Sequence, residues 1–280
     1  MKTKKTFFNI AHFNNDALSN IKKLKFMNHY SGSGNAYFSK KCTDWLKKNI
    51  KCKEALLVQS CTAALEMCAI LLNIKLGDEI IMPSYTFVST ANAFVLRGGK
   101  PVFVDIDSKT LNINPQDIEK AINKNTKVIV VVHYAGIACD MDAIMKIAKK
   151  NKLYVIEDAA QAILSTYKNK TLGSIGDLAT LSFHETKNVH CGEGGALLVN
   201  NKKFIKRAKI IRDKGTNRDA FNKNLVKKYT WKDIGSSYSL SEIGAAFLYS
   251  QLMTAKTIIK KRLLIWNQYN EIFKQLEEKK

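Results

Sequence analysis

Lys127-Val-Ile-Val-Val-Val132 and Leu153-Tyr-Val-Ile156, with a helix-like stretch over 140–151 between them, decide the fold. Both runs are short, rich in β-branched residues and apolar throughout, the pattern of strands covered on both faces. A strand, a helix and a second such strand form a unit whose two strands lie parallel. The alternation extends upstream. Ala55-Leu-Leu-Val-Gln59 leads into a helix over 62–73, and Glu79-Ile-Ile-Met82 leads into another over 86–96. Lys100-Pro-Val-Phe-Val-Asp105 is followed by a helix over 115–123. The class is α/β, with a mainly parallel sheet between two helical layers.

Downstream the rhythm changes. Ala179-Thr-Leu-Ser-Phe183 and Gly195-Ala-Leu-Leu-Val199 follow with little helix between them, so one strand joins the sheet differently, with an antiparallel pairing as the candidate. Beyond residue 202 the chain reads as helix to 214, as loop through 235 and as helix from 241 onward. No internal repeat, low-complexity tract or Pro/Gly linker divides it. Residues 1–240 therefore read as one large domain and 241–280 as a helical extension.

With 46% hydrophobic and 25% charged residues in 280, the composition is that of a soluble globular protein. The net charge of +21 comes mainly from scattered lysines. A basic balance without a reading motif argues against a nucleic-acid-binding role. Cys42, Cys52, Cys61, Cys68, Cys139 and Cys191 show neither CxxC pairs nor zinc-site spacing, and reduced thiols are the simpler account. No metal site is expected. Polar residues interrupt the N-terminal stretch before a leader-length apolar core develops, and no segment is apolar for long enough to span a bilayer. The expected location is the cytoplasm.

Two segments carry chemistry. Glu157-Asp158-Ala-Ala-Gln161 ends an apolar strand, at the edge where open α/β sheets place ligands. Ser182-Phe-His-Glu-Thr-Lys187-Asn-Val-His-Cys-Gly-Glu-Gly-Gly195 sets a lysine between an apolar strand and a glycine-rich turn. A lysine that forms an imine and an acid that holds a pyridinium nitrogen are the protein groups that pyridoxal phosphate (PLP) chemistry requires. Taken singly, Asp158 is as readily a helix cap, and a lone lysine is usually a solvated surface residue. As a pair, Asp158 would keep the cofactor nitrogen protonated and Lys187 would supply the amine, with Gln161 supporting the phenolic oxygen. Ser60-Cys-Thr-Ala-Ala-Leu-Glu66 opens a helix after a strand, so its amides suit a phosphate dianion, although plain N-capping by Ser60 or Thr62 is the ordinary alternative. Ser182 is placed to reach the same phosphate. Phe87 opens the next helix and could stack on a planar ring, although helix aromatics more often belong to a core.

The order of Ser60-Cys-Thr-Ala-Ala-Leu, Pro83-Ser-Tyr-Thr-Phe, Val132-His-Tyr-Ala-Gly136, Glu157-Asp-Ala-Ala-Gln161, Ser182-Phe-His-Glu-Thr-Lys187 and Gly192-Glu-Gly-Gly195 resembles the DegT-type nucleotide-sugar aminotransferases over nearly the whole chain. That resemblance implies the large domain of the aspartate-aminotransferase type of PLP-dependent transferase. It also implies a homodimer acting on a nucleotide sugar with L-glutamate as amino donor. Lys187 would hold PLP covalently, Asp158 pair with the pyridine nitrogen, Gln161 contact the phenolic oxygen, Thr62, Ala63 and Ser182 hold the phosphate, and Phe87 stack on the ring. Relatives that act as dehydratases carry histidine in place of the lysine, so Lys187 implies transamination. Many relatives have asparagine near Ser237 that reaches a neighbouring subunit's phosphate; with serine here, Ser237 is left outside the site. Relatives continue past the helix that begins near 241 into a small C-terminal domain, so 241–280 is read as the start of a truncated one. Its Ile258, Ile259, Leu263, Leu264, Ile265 and Ile272 are then expected to be exposed. A remnant that keeps the fold for a binding or structural role is the alternative to an active enzyme.

Overall fold

A computed structural model describes residue 7, residues 10–27 and residues 36–278. Most of the N-terminal stretch read above for a leader, residues 1–6 and 8–9, lies outside the described residues. In chain order the elements are α1 (Asp16–Leu24), α2 (Tyr37–Ile50), β1 (Glu54–Val58), α3 (Cys61–Leu71), β2 (Glu79–Pro83), α4 (Val88–Val95), β3 (Lys100–Val104), α5 (Pro115–Ala121) and β4 (Thr126–Val132). They continue with α6 (Met141–Asn151), β5 (Tyr154–Asp158), the short β6 (Thr166–Tyr167) and β7 (Lys170–Thr171), β8 (Leu178–Ser182), β9 (Gly195–Val199), α7 (Ile205–Arg212), α8 (Arg218–Asn222) and α9 (Glu242–Glu277).

Seven strands form one sheet in the order β1-β9-β8-β5-β4-β2-β3. Strands β3, β2, β4, β5 and β8 run parallel, as expected for apolar strands linked by helices. The differently joined strand is β9, antiparallel to both neighbours, β8 and β1. Helix starts follow local chemistry. Ser60, Asn114, Asp140 and Ser241 each turn a side-chain oxygen back onto an amide of the first turn, at Ala63, Gln116, Ala143 and Gly244.

The two-residue period of each strand divides the core. Leu56, Val58, Met82, Val130, Ile156 and Leu197 face α3, α4 and α7. On the other face, Ile129, Val131 and Val155 pack on α5 and α6, while Leu57, Leu181 and Leu198 pack on α2 and α9.

The structure departs from the sequence reading in several places, the short β6–β7 pair among them. Helices α1 and α2 were not expected. The helix over 202–214 resolves into a 3-10 turn, Lys202–Phe204, followed by α7. The segment read as loop through 235 contains α8. Ile258 is buried, because the first half of α9 is a core element whose Ala245, Leu248, Leu252 and Ala255 pack with Phe38, Cys42 and Leu46 of α2. Glu242 fixes that contact by accepting from the Phe38 and Ser39 amides at 2.9 Å each, so the start of α9 caps α2. Ile259 is half-buried, whereas Leu263, Leu264, Ile265 and Ile272 are exposed as expected.

Candidate active site

The carboxyl ends of β4, β5 and β8 meet the starts of α3 and α4 around a cleft of about 470 Å³. Thr62, Phe87, Asp158, Gln161, Ser182 and Lys187 all line it. Ala63 does not. Its side chain turns into the core, and its amide donates to Ser60 Oγ at 3.0 Å.

Asp158 reaches the cleft through strand parity. Two residues beyond Ile156, it shares the face that packs on α3 and α4, whereas Glu157 points through the sheet to the opposite side. Asp158 is 5% exposed; its Oδ2 accepts from Thr90 Oγ1 of α4 at 2.8 Å and its Oδ1 from the Ala160 amide at 3.2 Å. Burial pushes this carboxyl above the usual carboxylate range, although the Thr90 hydroxyl, the Ala160 amide and the nearby charge of Lys187 pull the other way. A carboxyl so placed gains from a cation arriving in the cleft.

Glu157 has the opposite balance. Burial would raise its carboxyl, but the hydrogen bond from His133 and the amides of Gly173 and Gly176 outweigh that and hold it below the usual range. Its two oxygens accept from His133 Nε2 at 3.0 Å and from the Gly173, Ile175 and Gly176 amides at 2.7 to 2.8 Å. His133 Nδ1 accepts from the Cys139 amide at 3.2 Å, which assigns the ring proton to Nε2. This network ties the ends of β4 and β5 to the loop before β8, directly behind Asp158.

Gln161 is oriented by a second loop. Its Oε1 accepts at 2.7 Å from the amide of Ala135, whose φ of 52° is left-handed, and the side-chain NH₂ is thereby left as a donor. Gly136 lets that loop approach, since a Cβ there would lie 2.9 Å from Ser165 Oγ.

At the start of α3 the amides of Cys61 and Thr62 find no protein acceptor among the described residues, and Thr62 Oγ1 donates to Ser89 Oγ at 2.8 Å. Two amides and two hydroxyls at a helix N-terminus suit an anion. Gly195 of β9 permits the arrangement, because a Cβ there would collide with the Ser60 and Cys61 backbone. Phe87, 74% exposed, stands at the N-cap of α4.

Lys187 is half-buried in the loop between β8 and β9. Backbone bonds from Phe183 to Gly194, Glu185 to Gly192 and Cys191 to Phe183, all 2.8 to 2.9 Å, hold that loop as a compact turn. Thr90, His133 and Tyr134 also line the cleft and were not singled out from sequence. A threonine inside a helix carries no signal of its own, whereas a histidine at the end of an apolar strand does.

The cleft would accept PLP on its own chemistry: a buried carboxyl raised by desolvation, unclaimed amides at a helix start, a free amide NH₂ and an amine in one cavity. Among the described residues no group of three His, Cys, Asp or Glu side chains is placed to hold a metal ion, and no helix is long and apolar enough to cross a membrane. None of the six cysteines is in a disulfide.

A family profile described as the DegT/DnrJ/EryC1/StrS aminotransferase family matches residues 10–280. An uncharacterised protein of Methanocaldococcus jannaschii is 43% identical over 241 residues, covering 85% of this chain and 62% of that protein. The spore coat polysaccharide biosynthesis protein SpsC of Bacillus subtilis is 39% identical over 227 residues, covering 80% of this chain and 58% of that protein. The chain therefore spans about three fifths of the length of these curated relatives. Among solved structures, Helicobacter pylori PseC, an aminotransferase involved in the biosynthesis of pseudoaminic acid, superposes with a TM-score of 0.86 at 28% identity, covering 97% of this chain and 71% of that one. With residues 10–280 of its 280 matched, the chain belongs to the DegT/DnrJ/EryC1/StrS aminotransferase family.

Proposed function

We propose that the protein is a PLP-dependent aminotransferase that moves an amino group from L-glutamate to C4 of dTDP-4-dehydro-6-deoxy-D-glucose, giving dTDP-4-amino-4,6-dideoxy-D-galactose for a surface polysaccharide. The observation that carries the reading is the single cleft that holds the Asp158 carboxyl and the Lys187 amine beside the open start of α3. Family membership and the relative named for spore coat polysaccharide biosynthesis support it. The choice of sugar and product rests on the resemblance of 83–98, 187–188, 214–218 and 229–237 to dTDP-4-amino-4,6-dideoxygalactose transaminase.

When bound, PLP supplies the electron sink that labilises the donor's Cα–H bond and carries the amino group from one substrate to the other. Asp158 would accept the ring N–H and keep that nitrogen protonated, its own buried charge being compensated in return. Thr90 holds the carboxyl in register. Gln161 would donate its NH₂ to the phenolic oxygen, and Thr62, Ala63, Ser182 and the first amides of α3 would hold the phosphate. Phe87 would stack on the ring. Lys187 would hold the cofactor through its Nζ and, as the general base and acid, would take the proton from the donor Cα and deliver one to sugar C4.

The same reading includes a cytoplasmic homodimer, with 1–240 as the cofactor-binding domain and 241–280 as a helical extension whose first half packs on it. A panel of nucleotide keto-sugars offered to PLP-loaded protein with L-glutamate, read by mass spectrometry, tests it. The expected product has gained an amino group on the dTDP-linked 4-keto sugar; no aminated product from any sugar refutes the activity.

A further inference from the structure

Residues 10–15 lie against α9 with most of their side chains exposed, so few apolar contacts hold them there. Asn14 Nδ2 donates to the Ser250 carbonyl at 3.1 Å, and the Phe13 ring meets Phe247 edge-on at 5.3 Å. The shortest bonds converge on one atom. The His12 carbonyl accepts from His190 Nε2 and from Gln251 Nε2, each at 2.7 Å. Gln251 belongs to α9, and His190 to the loop between β8 and β9 that carries Lys187. Phe247 touches both sides of the contact, since its ring also meets that of His190 at 5.5 Å. One carbonyl thus ties the N-terminal segment, α9 and the lysine loop together.

A carbonyl only accepts, so the proton of a neutral His190 sits on Nε2 and Nδ1 is bare. The ring is 4% exposed, and among the described residues neither His190 Nδ1 nor Gln251 Oε1 has a hydrogen-bond partner. Protonation would place a charge and a second N–H in a site nearly closed to solvent. Burial is the largest influence on the imidazole and holds it below its ordinary value. The bond to the His12 carbonyl and the charge of Glu185 in the same loop work against that, whereas His12 of the segment and Arg262 of α9 add to it. Release of the segment opens the ring to water, so the clasped state takes up a proton less readily than the released one. The clasp is therefore fully present above the ordinary histidine value and weakens as pH falls below it.

We propose that His190 is a pH-sensitive latch. Neutral, it clasps residues 10–14 to α9 and steadies the loop that carries Lys187; charged, it lets the segment go and loosens that loop. The clasp stands on the contacts above, and only its effect at Lys187 rests on the cofactor reading.

Limited proteolysis of the 280-residue protein reads the released fraction, with a synthetic peptide of residues 10–18 in the same tube to cancel the protease's own pH dependence. For one group that ordinarily titrates near about 6.5, the wild-type rate relative to the peptide should rise by up to about tenfold between about pH 7.5 and about pH 5.5. His190→Gln keeps an uncharged donor and cannot titrate, so its relative rate should stay flat. His12→Ala keeps the carbonyl and should keep the step. Gln251→Leu removes one of the two donors and should raise cleavage at both pH values, which tests the clasp if His190→Gln fails to fold. A flat wild type, a step that survives His190→Gln, or one that vanishes with His12→Ala would overturn the latch. At the lower pH, PLP with borohydride should label Lys187 more slowly in the wild type than in His190→Gln, with equal rates at the higher pH. Equal rates at both, beside a proteolytic step, would overturn the link to Lys187. No label on Lys187 in either protein, with the step intact, would keep the latch and sink the cofactor reading.

Discussion

Thr90 Oγ1 of α4 donates to Asp158 Oδ2 of β5 at 2.8 Å, joining the helix that opens at Phe87 to the strand end that closes the cleft. It is the only side-chain hydrogen bond to that carboxylate among the described residues, and it opposes the rise that burial imposes. Thr90→Val keeps the shape and removes the donor. The carboxyl should then rise further, its ionised fraction at a given pH should fall, and the pH profile of PLP binding should move to higher pH, with affinity down by about tenfold at neutral pH. Fluorescence titration with PLP across pH reads both.

Asp158 itself should oppose stability in the cofactor-free protein. A carboxyl raised on folding holds its proton more tightly in the native state, so stability falls as pH rises from the unfolded value through the folded one. Cofactor-free Asp158→Asn should accordingly melt at or above the wild-type temperature at pH 7 and lose its advantage below the unfolded carboxyl range. The same variant should retain PLP but slow the half-reaction with L-glutamate on the order of a hundredfold or more. Calorimetry and stopped-flow absorbance give the two readings.

Glu157 should show the reverse pH dependence. Its depressed carboxyl adds stability that is present above the unfolded value and is lost as pH falls through the folded one. Glu157→Gln sets an NH₂ against backbone donors from 173, 175 and 176 and should cost roughly 2–4 kcal/mol at pH 7. Urea unfolding measures that loss, and the difference from wild type should shrink toward acid.

The course of the sheet was legible because its strands are apolar runs, Asp158 because it ends such a run, and Lys187 because it lies between such a run and a glycine-rich turn. Thr90 was not, since nothing inside Val-Ser-Thr-Ala-Asn-Ala-Phe-Val marks one hydroxyl as facing a carboxylate on a strand 68 residues away. Glu157 looked like a neighbour of Asp158, and only strand parity separates the two onto opposite faces. Helix α2 carries a readable signal: Phe38, Cys42, Leu46 and Ile50 recur every four residues and are all buried. Its partner contact is not readable, because Glu242, which caps it, lies 204 residues from Phe38. Ala63 follows from motif resemblance, while the diversion of its amide to Ser60 depends on one hydroxyl rotamer.

Gly195 should tolerate no side chain. Gly195→Ala sets a methyl against the Ser60 and Cys61 backbone and must displace the start of α3 from β9. Overpacking of this kind costs about 1–3 kcal/mol, and because the displaced amides are those offered to the phosphate, PLP affinity should fall along with the melting temperature. A variant that lost stability and kept wild-type PLP affinity would show that the start of α3 does not bind the cofactor phosphate.

The central claim is that Lys187 bonds the cofactor. Protein incubated with PLP, reduced with borohydride, digested and mapped by mass spectrometry should carry one pyridoxyl group, on the peptide containing Lys187, and Lys187→Ala should carry none there. A label on another lysine, or no label with PLP in excess, would contradict the account.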